Sequence, residues 1–257
     1  MNRALPHSQA IRVEVDAYLA DVIRLAQKNC RALAKSGAFN FVYKVSLAGD
    51  CFLARVCSNE RPRLANARSL LQRVPILVGC GQFDAAEATL RKFVETAFLC
   101  LYFTDHPVEW TEFQKNPGAG ISRETTTPIA NNAHREPSFY ANYARELLAG
   151  EPSGLAVAAA GRLIVAYGRL SQAVHAAAAS VNKHLGTAHD AIDEQSIGRF
   201  GETYRRCVAD VAIVVAARLC KRFDSLPPVH RAWFDWLVGS ETKKRLRAGP
   251  FGLDPPR

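Results

Sequence analysis

The stretch from Leu155 to Leu185 constrains the fold more than any other part of the chain, because its apolar residues follow one helical period throughout. They recur at alternating steps of four and three, and this spacing places them on one stripe of an α-helix. A long helix of this kind buries its stripe against other helices. We therefore predict a long helix whose mostly buried face carries Leu163, Tyr167, Leu170, Val174 and Val181.

Most of the remaining chain shows the same period, so the predicted fold class is all-α. We expect one helical domain over residues 1–242, a bundle of about seven helices. A basic tail rich in Pro and Gly follows over residues 243–257. The further helices are predicted over residues 11–33, 63–79, 84–104, 138–148 and 197–223, with a last one from Pro227 and a short helical turn over residues 108–115.

Residues 39–57 have the least helical pattern. Between Phe39 and Val45, aromatic or branched residues alternate with smaller or more polar ones, as in a strand with one buried face. The following Ala48-Gly49-Asp50 suits a tight turn before a returning strand. We predict a small β-hairpin here, with the alternative that Asp50 caps a short helix.

The longest stretch without a helical pattern is residues 116–137, which are rich in Gly, Pro, Ser, Thr and Asn. Loops of this length in compact domains are usually functional or disordered. We therefore predict a poorly ordered or surface-wrapping loop rather than a long helix or strand.

The sequence also argues against membrane and secretory classes. No uninterrupted apolar run approaches the roughly 18 residues of a membrane span, and the N-terminus lacks the apolar core of a signal peptide. The seven cysteines are odd in number and form no CxxC pair. Free, buried thiols in a reducing cytosol are the simplest account, so we predict a cytoplasmic protein with no membrane contact.

The net charge of +9 indicates a polyanionic partner. Nucleic acid is the obvious polyanion for a basic protein, and RNA is the partner that we expect. The aromatic-interleaved basic strand of RNA-recognition domains is missing from the sequence. Binding would therefore depend on a basic surface of the helices.

Arg169 and His175, on the long helix, are the candidate catalytic residues. The histidine could exchange a proton with the 2′-hydroxyl or the leaving oxygen during RNA cleavage, and the arginine could hold the phosphate. On an ideal helix the two residues lie about 120° and about 9 Å apart, so a shared site would need a curled Arg side chain, a distorted turn or a second subunit. The alternative is a helix histidine satisfied by Ser171, beside a solvated arginine.

Five further residues are candidates for supporting roles. Ser171 and Asn182 fall on the same flank of the helix as His175, and Tyr167 belongs to the apolar stripe. Arg91 and Glu95 are spaced i, i+4 on the helix predicted over residues 84–104. They form either a surface ion pair or a half-buried pair that fixes one helix against another or lines a cleft.

The sequence gives no reason to expect a metal or cofactor. His184, His189, Asp190, Asp193 and Glu194 straddle a helix end and lack the ligand spacing of a zinc or calcium site. GxSxG, HExxH, Walker and GxGxxG motifs are also missing in a valid context. We therefore predict that no metal or cofactor is bound.

Two family resemblances arise from these motifs. The segment Ala67-Arg-Ser-Leu-Leu-Gln-Arg, then Arg91-x-x-x-Glu95, Tyr102 and Tyr167-Gly-Arg-Leu-Ser-Gln-Ala-Val-His175, resembles a helical bacterial family of uncharacterised function over residues 60–185. The spacing Arg169-x5-His175 is similar to the R-x4-6-H motif of HEPN ribonuclease domains. The HEPN resemblance implies an all-α, usually dimeric protein of a toxin–antitoxin or antiphage system, with catalysis on Arg169 and His175.

The sequence thus leads to two hypotheses about function. The first is a HEPN-like, metal-independent endoribonuclease of a bacterial defence or toxin system, acting on RNA as a homodimer. The alternative is a non-enzymatic helical interaction or sensor protein that binds a protein partner or nucleic acid.

Overall fold

In the computed structural model, the described residues are 16, 20, 24, 27, 31–56, 61–115, 137–149, 154–184, 194–218, 226–239 and 242. For residues 56, 61–64, 112–115, 137–141 and 173–184 only the backbone is described. The predicted loop over residues 116–137 therefore lies outside the described residues except for its last position, and the tail over residues 243–257 lies outside them entirely.

The fold is all-α, as predicted, and no strand occurs within those ranges. Residues 31–33 are helical, and so are the isolated described positions of the helix predicted over residues 11–33. The longer elements that follow are α1 (Gly37–Val56), α2 (Arg61–Gly79), α3 (Phe83–Asp105), α4 (Pro107–Lys115), α5 (Pro137–Leu147), α6 (Leu155–His184), α7 (Glu194–Arg218) and α8 (Pro228–Val238).

The β-hairpin predicted over residues 39–57 is wrong, because this segment is the helix α1. Val42, Val45 and Phe52 are fully buried, and their spacing fits one face of a helix. The alternation near the start misled because Tyr43 is 56% exposed although it is aromatic. The short-helix alternative also fails for Asp50, which lies within α1 and accepts a hydrogen bond from Arg68 Nε at 2.6 Å.

Gly49 lies in the middle of α1, where the sequence suggested a turn. A Cβ atom at this position would lie 2.6 Å from Val208 Cγ1 in α7 and 3.2 Å from Leu71 Cδ1 in α2. The glycine therefore allows three helices to approach one another closely.

Helix α7 is the most deeply buried element, and it packs against α1, α3, α6 and α8. Every residue from Cys207 to Ala217 is buried. At its end, Arg218 donates hydrogen bonds to Asp105 at the end of α3, and Tyr143 of α5 donates another to the same carboxylate at 2.8 Å. These contacts tie the ends of three helices together.

Helix α6 agrees with its sequence pattern. Leu163 and Leu170 are buried, and Tyr167 is half-buried against the core. The side chains of Val174 and Val181 lie outside the described residues, so their predicted burial stays a prediction.

The helices that the structure describes include none that is long and apolar enough to cross a membrane. The described thiols are free, and Cys100 and Cys207 are buried as expected, whereas Cys80 is exposed.

Candidate functional site

A groove of about 990 Å³ runs between α6 and α7. It exists because the facing residues are small: Ala158, Gly161 and Ala166 on α6, and Ala209 on α7. A Cβ atom added at Gly161 would meet nothing within 4 Å, so this position opens directly onto empty space.

Four arginines of the described chain line the groove. Two of them are held by other groups. Arg162 binds Asp210 with Nε 3.0 Å from Oδ2 and a terminal nitrogen 2.5 Å from Oδ1. Arg205 donates to the carbonyl oxygen of Leu237 at 3.3 Å. These bonds fix the two guanidinium groups in place.

The other two arginines, Arg169 and Arg206, are exposed. Neither makes a hydrogen bond or an ion pair with a described residue. An unpaired guanidinium presents a planar fork of donors that matches a phosphate or carboxylate oxygen pair. The groove therefore offers two exposed anion-binding groups that no described residue engages.

Asp210 was missed by sequence reasoning, because it lies within the apolar run that begins at Val208. Asp210 is 6% exposed, and burial raises the pKa of its carboxyl group although the neighbouring Arg162 acts in the opposite direction. An acid inside an otherwise apolar run was the available signal, since such a residue needs a basic partner on a neighbouring helix.

Glu87, on α3, also lines the groove and was missed. The side chain is half-buried and forms no hydrogen bond or ion pair with a described residue. Burial raises its pKa, and the negative charge of Asp84 adds to the effect. Among the described residues, Glu87 is therefore an acceptor without a partner on the same groove as Arg169 and Arg206.

Of the predicted catalytic pair, the structure places Arg169 on the groove. The side chain of His175 lies outside the described residues, as does that of Asn182. The backbone of α6 is continuously helical through both catalytic candidates. The expected separation of about 9 Å along the axis and about 120° around it therefore holds for their backbone positions.

The remaining candidates on α6 have local roles. The Ser171 hydroxyl donates to the carbonyl oxygen of Tyr167 at 2.8 Å. The ring of Tyr167 lies under the guanidinium of Arg91, 5.3 Å from centroid to Cζ, which is a cation–π contact between α6 and α3.

The ion pair predicted between Arg91 and Glu95 is not formed. Glu95 instead accepts a hydrogen bond from Lys92 at 3.2 Å, and Arg91 lies over Tyr167. The Arg-first order is the less favourable one for an i, i+4 pair, and the aromatic ring offers the guanidinium a better partner. Neither residue lines the groove.

The described part of the chain contains no group of three or more His, Cys, Asp or Glu side chains arranged to hold a metal ion. Glu194 accepts hydrogen bonds from Ser36 and from the backbone N–H of Ala38. His184, His189, Asp190 and Asp193 have side chains outside the described residues.

No protein-family model, no curated protein and no solved structure matches this chain. The resemblances to a helical bacterial family and to HEPN ribonucleases therefore stay predictions.

Proposed function

We propose that this protein binds RNA and holds its phosphates on the free arginines of the groove between α6 and α7. The observation that carries the proposal is the pair Arg169 and Arg206, exposed on a groove of about 990 Å³ and unpaired with any described residue. The net charge of +9 adds long-range attraction for a polyanion.

The fixed arginines support this proposal. Arg162 is 55% exposed at its side chain although Asp210 holds it, so its outer face remains accessible to a second anion. Because the carboxylate orients the guanidinium in advance, a ligand loses less conformational entropy on binding it. A phosphate in the groove would therefore meet two exposed arginines and one pre-oriented arginine.

Binding is tested with a labelled single-stranded RNA whose riboses carry 2′-O-methyl groups, so that cleavage cannot interfere. Arg169→Ala and Arg206→Ala should each weaken binding about tenfold, the value of one charge-assisted hydrogen-bonding group. Each should also reduce the slope of log K against log salt by about one.

Arg73→Ala is the matched control, since it removes the same charge from an exposed position on α2 outside the groove. It should leave the affinity within about twofold, because a distant surface charge contributes little at physiological salt. Equal losses in all three variants would mean that net charge alone attracts RNA, and the groove proposal would fail.

Cleavage is a second proposal, and it depends on His175. Arg169 is free to hold a phosphate, as the cleavage chemistry requires, and His175 would transfer the proton. Cleavage would need no divalent metal and would survive EDTA. Because Arg169 and His175 lie about 120° apart around α6, activity per chain should rise with protein concentration as homodimers bring together the two residues of different chains.

His175→Ala should abolish cleavage while leaving the melting temperature and the binding of 2′-O-methyl RNA unchanged. If the wild-type protein binds RNA through the groove but cuts none, the non-enzymatic alternative of an RNA-binding sensor or interaction protein holds. A role in a bacterial defence or toxin system follows from the resemblance alone. Induced expression tests that role, and growth arrest that depends on His175 would support it.

A further inference from the structure

The groove contains both hydrogen-bond donors and an acceptor that have no partner among the described residues. Arg169 and Arg206 are unpaired donors among the described residues, and Glu87 is an unpaired acceptor. A ligand that satisfies only the arginines would leave a half-buried carboxylate without a partner, which costs free energy. The best ligand therefore carries an anionic group and, at some distance from it, N–H donors.

The packing of α3 on α6 shows where Glu87 lies in the groove. Arg91 of α3 is over Tyr167 of α6, whereas Leu101 and Leu163 line a common small cavity. Residue numbers thus rise along α3 as they fall along α6, so the two helices are antiparallel. Glu87 precedes Arg91 by about one turn and lies at the end of the groove formed by Arg169 and Leu170.

Apolar side chains line the same groove, namely Val165 and Leu170 of α6 and Ile213 of α7. Val165 is 55% exposed, which leaves an apolar surface without a partner among the described residues. Such a surface suits the face of a planar ring, because apolar walls with a few placed polar groups are typical of small-ligand sites.

We propose that the groove selects a guanine nucleotide unit of the RNA, with its phosphate on Arg169 and Arg206 and its base edge on Glu87. This inference rests on the proposed function. A carboxylate has two acceptor oxygens, and guanine offers two adjacent donors, N1–H and the N2 amino group. Adenine and cytosine place an acceptor beside their amino group, and uracil places its single N–H between two carbonyls, so each would face the carboxylate with a repelling oxygen or nitrogen.

The test compares hexamers of 2′-O-methyl uridine with hexamers that carry one central guanosine, inosine, adenosine or cytidine. The guanosine hexamer should bind about tenfold more tightly than the uridine hexamer, as one bidentate contact discriminates between bases. Inosine lacks the N2 amino group and should bind with an intermediate affinity. Adenosine and cytidine should remain close to uridine.

Glu87→Gln should abolish the preference for guanosine, so that the guanosine and uridine hexamers bind this variant with affinities within about twofold of each other, because the amide replaces one acceptor oxygen with a donor. Glu146→Gln, at an exposed position on α5, is the matched control and should retain the preference. Arg169→Ala should weaken all five hexamers by the same factor.

The experiment distinguishes three kinds of failure. Equal binding of all five hexamers by the wild-type protein, with loss in Arg169→Ala, would overturn the guanine inference and leave the proposed RNA binding intact. Hexamer binding that is insensitive to Arg169→Ala, or no binding at all, would overturn both. A preference for guanosine that persists in Glu87→Gln would overturn the role of Glu87.

Discussion

Asp210 and Glu87 are carboxyl groups on the same groove, and they differ in what compensates their charge. Asp210 is buried and accepts hydrogen bonds from Arg162, whereas Glu87 has no hydrogen-bonding or ionic partner among the described residues. Breaking a buried pair by removing one member leaves the other charge uncompensated, so Arg162 is a structural residue as well as a groove residue. The half-buried charge of Glu87 therefore costs folding free energy, and a ligand that donates hydrogen bonds to it can offset this cost.

Glu87→Gln should stabilise the folded protein at pH 7, because Gln removes a half-buried charge. Burial raises the pKa of Glu87 above its ordinary value of 4.5, so the folded state binds the proton more tightly than the unfolded state does. Protonation of Glu87 therefore contributes to the free energy of unfolding. This contribution is fully present below pH 4.5 and is lost as the pH rises through the raised pKa of Glu87. Urea unfolding should therefore show a variant more stable than wild type at pH 7, with a difference that shrinks towards pH 4.

Glu146→Gln supplies the comparison for this measurement, because Glu146 is exposed. Its stability difference from wild type should be small at both pH values. A Glu87→Gln variant that is less stable than wild type at pH 7 would show that the carboxylate has a stabilising partner.

At the scale of the elements, α1 approaches α7 closely at Gly49. Gly49→Ala places a methyl group 2.6 Å from Val208 Cγ1, whose side chain is itself buried. Such overpacking costs about 1–3 kcal/mol, which exceeds the gain of about 0.5–1 kcal/mol from replacing a helical glycine. The free energy of unfolding should therefore fall.

Gly168→Ala is the matched control, since a Cβ atom there meets nothing within 4 Å and the position is exposed on α6. The same substitution should raise the free energy of unfolding by about 0.5–1 kcal/mol. Changes of the same sign in both variants would contradict the close packing at Gly49.

Helix α6 gives a second test of packing. Leu170 is 4% exposed, so Leu170→Ala should cost about 2–5 kcal/mol of unfolding free energy. Val165→Ala, at a 55% exposed position on the same helix, should cost less than about 0.5 kcal/mol. Thermal or chemical denaturation distinguishes the two, and similar costs would mean that the buried face of α6 is misassigned.

These helices show how far sequence patterns predict this fold. Strong periodicity was enough for α6, because its stripe runs over many turns and Leu163 and Leu170 are both buried. It failed for α1, where the exposed Tyr43 completes an alternation and Gly49 suggests a turn. A short window cannot distinguish a turn glycine from one that admits a neighbouring helix, because only the assembled bundle shows that Val208 lies there.

At the scale of the whole molecule, the groove is a product of assembly. Arg169 was predicted as a site residue because its own helix carries a recognisable spacing. Sequence patterns did not predict the other groove residues Arg206, Asp210 and Glu87, because these come from two other helices and have no sequence relation to one another. Their grouping depends on which faces of α3 and α7 meet α6, and no local pattern encodes that choice.

The shape of the groove can be changed without changing any charge. Gly161→Leu directs a side chain into the empty space between α6 and α7, where a Cβ atom meets nothing within 4 Å. The substitution also raises helix propensity, so the fold should be retained. Gly198→Leu on α7 is the matched control, because its Cβ atom likewise meets nothing within 4 Å and the residue does not line the groove.

The most direct test of the groove proposal is the affinity of Gly161→Leu for 2′-O-methyl RNA. It is measured together with the affinity of Gly198→Leu at one fixed salt concentration. Gly161→Leu should bind about tenfold more weakly than wild type, a loss of about 1.4 kcal/mol, while Gly198→Leu stays within about twofold. Wild-type affinity in a folded Gly161→Leu protein would show that RNA does not occupy the groove.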